Sequence, residues 1–258
     1  MPQLAYSDIV VARRRLLQMH YECGVGHLGG ALSSLDAMLI LFHERLREED
    51  EFILSKGHSV SALYITLWSL GELDDSDLQT FTLDGTTLAG HPPINAIDRI
   101  RFATGSLGHG FSIAAGTALA CRVLGQDSRV FCLTSDGEWQ EGSTWEALIF
   151  SCHHRLNNLT ILVDENGLQA FGSTSEVASM APLATRISGF DVDVTVVDGH
   201  DLGAVRCALS EPQDNLRIII IQTKKGARVS AIENRLESHY LPLTDEQYHA
   251  AIEEVGQP

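Results

Sequence analysis

The 258-residue chain is short of positive charge: 18 Lys and Arg stand against 34 Asp and Glu, a formal net charge of −16. No Lys/Arg-rich run offsets this, which excludes the phosphate-backbone footprint of a nucleic-acid binder. Cysteine is sparse. Cys23, Cys121, Cys132, Cys152 and Cys207 are odd in number, widely spaced and never in a CxxC pair, a usage that suits reduced thiols rather than a disulfide framework. No apolar run approaches the ~18 residues of a membrane span. The N-terminal stretch 5–23 is broken by Arg13, Arg14 and Arg15, unlike the apolar core of a signal peptide. A cytoplasmic protein with no membrane partner is the expectation. HExxH and His/Cys zinc patterns are absent, as is the GxSxG elbow of a hydrolase triad.

What is present is an ordinary globular composition, with 44% hydrophobic residues, 22 Gly and only 7 Pro. Apolar residues at helical spacing mark 4–22 and 34–47, the second with Ser33 or Ser34 as its cap, and further helices are expected at 58–71 and 109–124. Short β-branched runs then alternate with helical ones. Strands are expected at 130–135, 159–165, 192–197 and 217–223, and helices at 143–155 and 201–210. That alternation argues for one α/β domain over residues 1–258, a parallel sheet flanked by helices. Residues 218–221, four consecutive isoleucines, read as a central strand buried on both faces.

In open parallel sheets, ligands bind outside the carboxyl ends of the strands. Asp136-Gly137-Glu138 follows the strand at 130–135, Asn166-Gly167-Leu168 the strand at 159–165, and Lys224-Lys225-Gly226 the strand at 217–223. Asp136 offers a carboxylate, Asn166 an amide oxygen and Leu168 a backbone carbonyl, a donor set suited to a hard cation such as Mg²⁺ (or Ca²⁺ or Mn²⁺) bound with phosphate. Gly137 would let backbone approach that phosphate, next to a helix N-terminus. Strand-end DG and NG dipeptides also serve as plain turns, so both readings stand at this point. Five of the eleven histidines lie in Gly- or Pro-punctuated loops or near the tail: His27 (GVGHLGG), His58 (SKGH), His91 (AGHPP), His109 (GSLGHG) and His239 (ESHYLP). Such loops at the rim of a sheet tend to carry function.

Six segments in order, GHLGGALSSLDAMLILF, DEFILSKGHSVSALYITLWSLGEL, TLAGHPP, ATGSLGHGFSIAAGTALACRVLG, SDGEWQEGSTWEAL and LTILVDENGLQAFG, together with TKKGARVSAIENRLESHYLPLTDEQY, cover nearly the whole chain. Their sequence and order resemble the thiamine-diphosphate-binding half of transketolase, and specifically the short N-terminal subunit of its split, two-chain form. The resemblance implies the thiamine-diphosphate-binding (PP-domain) fold. It also implies that Asp136 and Asn166 hold Mg²⁺ with the Leu168 carbonyl, and that Ser135, Gly137 and Glu138 lie beside the diphosphate. Gly105, Ser106 and Leu107 would line the cofactor's ring region. His58 and His239 would approach the diphosphate and reacting centre, and His27 and His91 the sugar hydroxyls.

The implied activity is transfer of a two-carbon ketol unit from a ketose, or ketose phosphate, to an aldehyde. The cofactor supplies the carbanion and electron sink, and the protein orients it and moves protons. In this family the glutamate that activates the aminopyrimidine lies in a pyrimidine-binding domain. The resemblance therefore implies a C-terminal partner subunit that supplies it, in an α₂β₂ assembly. Four positions depart from the family pattern: Ser135 replaces the glycine that opens the GDG triplet, and Lys56, His109 and Tyr240 stand where other residues are expected, a glycine in the last case. The alternatives are another thiamine-diphosphate enzyme, such as a deoxysugar-phosphate synthase, or a non-catalytic subunit of the same fold.

Overall fold

The computed structural model describes residues 3–256. Its elements run α1 (Tyr6–Cys23), α2 (Leu28–Glu44), β1 (Glu51–Leu54), α3 (Val60–Ser69), α4 (Asp75–Leu78), α5 (His109–Val123), β2 (Val130–Ser135), α6 (Gly142–His153), β3 (Leu159–Glu165), α7 (Thr174–Ala178), α8 (Leu183–Ile187), β4 (Val192–Asp198), α9 (Leu202–Ala208), β5 (Leu216–Gln222) and α10 (Asp245–Glu254). The strands form one five-stranded sheet in the order β1-β2-β3-β5-β4, and every neighbouring pair is parallel.

The isoleucine run lies in β5, between β3 and β4, as a strand apolar on both faces should. Its period-2 alternation divides the core. Ile218 and Ile220 join Val130, Cys132 and Ile161 beneath α5 and α6, while Ile219 and Ile221 join Leu133 and Leu162 beneath α1, α2 and α3. Helix α2 is buried at every position from Leu28 to Phe42, the signature of a helix enclosed on all sides. Its one acidic side chain within that stretch, Asp36, pairs with the buried Arg13 of α1.

The structure corrects the expected start of this helix. It begins at Leu28, and Ser33 and Ser34 are interior residues, the Ser34 hydroxyl donating to the Gly30 carbonyl at 2.9 Å. Tertiary packing draws the glycine-rich segment into the helix. A Cβ at Gly29 would stand 2.3 Å from Ser238 Oγ, so the first turn approaches the chain's last loop as only glycine allows. Five elements escaped the sequence reading: the short helices α4, α7 and α8, strand β1 and helix α10. Strand β1 has four residues at the sheet edge, too short to show alternation. Helix α10, capped by Thr244, docks on α1 through Tyr248, which stacks on Tyr21 at 4.1 Å.

The strand ends deliver four loops to one edge of the sheet: Ser55 to His58 after β1, Asp136 to Gln140 after β2, Asn166 to Ser173 after β3, and Thr223 to Gly226 after β5. Among the described residues no helix is long and apolar enough to cross a membrane.

Candidate active site

At this edge lies a cavity of about 270 Å³ whose walls include His27, His58, His91, Asp136, Asn166 and His239. Gly105, Leu107, Ser135, Gly137 and Leu168 complete most of the lining. The four imidazoles come from four separate segments yet converge. His27 stands 4.9 Å from His239, 5.9 Å from His58 and 6.0 Å from His91, between ring centroids. His27 takes a left-handed backbone at φ 64° just before α2, and its N–H donates to the His239 carbonyl at 3.1 Å, which ties two of these segments together. Gly105, at φ 146°, permits the 105–108 loop to press on His91, where a Cβ would lie 2.8 Å from the ring.

Asp136 sits at the cavity floor, 7% exposed. Its carboxylate accepts from Gly137 N at 2.8 Å and Gly167 N at 2.7 Å. Burial, reinforced by the neighbouring Asp164 charge, pushes this carboxyl up to about 7. Asn166 donates from Nδ2 to Asp164 and accepts at Oδ1 from Leu168 N, both at 3.1 Å. Two residues for which the sequence suggested no role are buried here. Lys56 forms an ion pair with Asp164, and Lys225 donates to the Leu168 carbonyl at 3.2 Å and lies 3.0 Å from His239 Nδ1. Their signal in the sequence was position only: Lys56 precedes His58 by two residues, and Lys225 follows β5 by three.

The electrostatic result is a pocket of neutral bases over fixed cations. Burial, then the adjacent Lys225 charge, brings His239 down to about 3. Burial and Lys56 hold His58 well below its ordinary range, burial and His91 lower His27, and burial lowers His91. Burial and the Lys56 charge bring Lys225 down to about 8, still charged at neutral pH. An anionic ligand with exchangeable protons suits this combination.

Two expected residues are placed differently. Glu138 does not line the cavity: fully buried beneath it, its carboxylate accepts from Gly108 N at 2.9 Å, Ser135 N at 2.8 Å and Ser55 Oγ, anchoring the 105–108 loop to the strand end. Ser106 is exposed and outside the lining. Of the four departures, Ser135 lines the cavity, Lys56 forms the buried pair, and His109 opens α5 as an exposed residue. Tyr240 donates to the Ala170 carbonyl at 2.9 Å, spanning from the His239 segment to the loop after β3. A larger groove of about 660 Å³ lies at the opposite end of α2, lined by Leu39, His43 and Trp68, and holds none of these groups.

Among the described residues no three His, Cys, Asp or Glu side chains are grouped to hold a metal. A cation here would rest on one carboxylate, one amide oxygen and one carbonyl, which is the oxygen set Mg²⁺ accepts while keeping water and phosphate ligands. Asp136 fits that role, because its carboxylate is buried and the Lys56 charge offsets only part of the cost of that burial.

A parallel α/β sheet with oxygen donors, ammonium groups and imidazoles at its carboxyl edge defines a domain built to hold an anionic cofactor. The chain belongs to the family described as transketolase, thiamine diphosphate binding domain, whose model matches residues 8–258. An apulose-4-phosphate transketolase subunit of Phocaeicola vulgatus is 35% identical over 257 residues, covering 95% of this chain and 91% of that protein. The 6-deoxy-6-sulfo-D-fructose transketolase subunit SqwG of a Clostridium species is 34% identical, covering 95% and 94%. The structure of transketolase from Leishmania mexicana superposes with a TM-score of 0.89 at 23% identity, over 99% of this chain and 42% of that one. Thus the chain has the thiamine-diphosphate-binding fold of a transketolase-type transferase, and both of these relatives are named as subunits.

Proposed function

We propose that this chain is the cation- and diphosphate-holding subunit of a two-chain transketolase that moves a two-carbon ketol unit from a ketose phosphate to an aldehyde. The observation that carries this reading is the convergence of four neutral imidazoles on the cavity floored by Asp136 and Asn166. Bound thiamine diphosphate supplies the nucleophilic carbon and the electron sink. Asp136, the Asn166 amide oxygen and the Leu168 carbonyl would hold Mg²⁺ (Ca²⁺ or Mn²⁺ in its place), and Gly137, Ser135 and the Lys225 ammonium would face the diphosphate. Gly105 and Leu107 form the wall beside the cofactor's rings.

The imidazoles work on the sugar. Kept neutral by burial, His27, His58, His91 and His239 each hold one nitrogen lone pair and one N–H, so they can accept a proton from a hydroxyl and return it without changing the resting charge. His91, the most open of the four, meets donor and acceptor as they enter. His239, in contact with Lys225, would face the diphosphate end.

The pyrimidine-binding domain and its activating glutamate come from a C-terminal partner subunit, in an α₂β₂ assembly with the cofactor between chains. Two relatives support this, since both are named as transketolase subunits, one for a sugar phosphate and one for a sulfosugar. The assembly works in the cytoplasm. The test is reconstitution: the co-purified pair, with thiamine diphosphate and Mg²⁺, transfers two carbons from ketose phosphates to aldehydes, and neither chain does so alone. A pair that binds the cofactor and transfers nothing across a ketose and aldehyde panel would favour the non-catalytic reading.

A further inference from the structure

We infer that Asp164, held by Lys56, is a positioning residue that fixes which way the Asn166 amide faces, and through it the geometry of the cation site. This inference rests on the proposed cation role of Asn166. Asp164 lies on β3 two residues before Asn166, and a carboxylate so close to a cation site invites assignment as a ligand. Its hydrogen bonds give it another task. Oδ2 accepts from Lys56 Nζ, from Ser33 Oγ at 2.6 Å and from Asn166 Nδ2 at 3.1 Å, and Oδ1 accepts from Thr223 Oγ1. Four donors match the roughly four acceptor sites of a carboxylate. The group is 1% exposed, with three of its four donors on Oδ2.

The same bonds settle the Asn166 amide. Its NH₂ meets a carboxylate and its oxygen meets the Leu168 N–H. Turned over, the oxygen would face Asp164 and the NH₂ would face an N–H, losing both bonds and adding two repulsions. In the observed orientation the oxygen gives one lone pair to the Leu168 N–H and keeps the other for the cation. The donors come from α2 (Ser33), the turn after β1 (Lys56), the loop after β3 (Asn166) and the loop after β5 (Thr223), so four segments converge on one acceptor. Lys56 also donates to the Gly30 carbonyl at 3.1 Å, which holds the ammonium over the carboxylate. Partners of this kind set the orientation of metal ligands, and their loss costs about 10- to 100-fold in affinity.

The test uses the chain co-purified with its partner and two double variants, both without the buried charge pair. K56M/D164N keeps an oxygen that can accept from Asn166, and K56M/D164L does not. Mg²⁺ and Ca²⁺ dissociation constants are read from cofactor-binding calorimetry, with urea midpoints as a check of folding. The leucine variant is expected to bind the cation about 10- to 100-fold more weakly than the asparagine variant. Equal affinity in two folded variants would reduce the pair to a structural role and overturn the inference. Should the leucine variant not fold, the exchange carries the test: N166D alone weakens cation binding by setting two carboxylates face to face, and D164N/N166D recovers it by restoring an NH₂ opposite a carboxylate. Tighter binding by N166D alone would overturn the inference as well. Absence of any cation-dependent cofactor binding in the wild-type pair would instead remove the cation site, and this role with it.

Discussion

Replacing Asp136 with Asn should change how the metal-free chain responds to pH. In the fold this carboxyl titrates near 7, against 3.8 for the ordinary group, because it is buried and faces Asp164. Between those values the folded chain holds a proton that the unfolded chain has lost. The contribution of Asp136 to stability is therefore full below about pH 4, falls as pH rises, and is exhausted above about 7. At 1.36 kcal/mol per unit, about 3 kcal/mol should be lost between pH 5 and pH 8. The asparagine of the variant cannot titrate. Its amide would leave one of the two N–H groups from Gly137 and Gly167 facing an NH₂, a pH-independent cost of about 1–3 kcal/mol. Urea unfolding followed by tryptophan fluorescence in the presence of a chelator, at each pH from 5 to 8, gives the difference between the two proteins. That difference should move by about 3 kcal/mol in favour of the variant as pH rises. A difference that stays constant would mean that Asp136 ionises as a free carboxyl and would refute the argument that it awaits a cation.

Three further outcomes follow from the same geometry. His91→Ala should lower turnover of the two-chain enzyme by about 10²- to 10⁴-fold with little change in cofactor affinity by calorimetry, since His91 contacts the cavity from its open side. Lys225→Met should weaken diphosphate binding at pH 7. The wild-type affinity should also fall as pH rises through about 8, where the ammonium discharges, a dependence the variant lacks. Ile219→Ala, in the core between β5 and α2, should cost about 2–5 kcal/mol of stability by urea titration and leave the activity of the folded fraction unchanged.

The sequence exposed those features that repeat or punctuate. Alternation and strand-end dipeptides located β2, β3 and β5 and the two oxygen donors between them, and glycine-rich loops marked the histidines that converge in space. Features set by long-range packing were hidden. The start of α2 depends on Gly29 meeting Ser238, more than two hundred residues away, and serine-based capping placed it too late. Glu138 reads as a cavity residue by its neighbours, yet its carboxylate turns below to take the Gly108 N–H. Lys56 and Lys225 are the largest omission. A lysine is ordinarily a solvated residue, and only the fold shows that both are enclosed, one against Asp164 and the other against His239.

The most direct test of the proposed division of labour is native mass spectrometry of the tagged chain, purified from its own host with thiamine diphosphate and Mg²⁺. The account predicts a complex of two copies of this chain and two of a second polypeptide bearing a pyrimidine-binding domain, with one cofactor per pair of chains, and no retained cofactor when Asp136 is replaced by Ala. A wild-type chain that emerges without partner and without cofactor would contradict it.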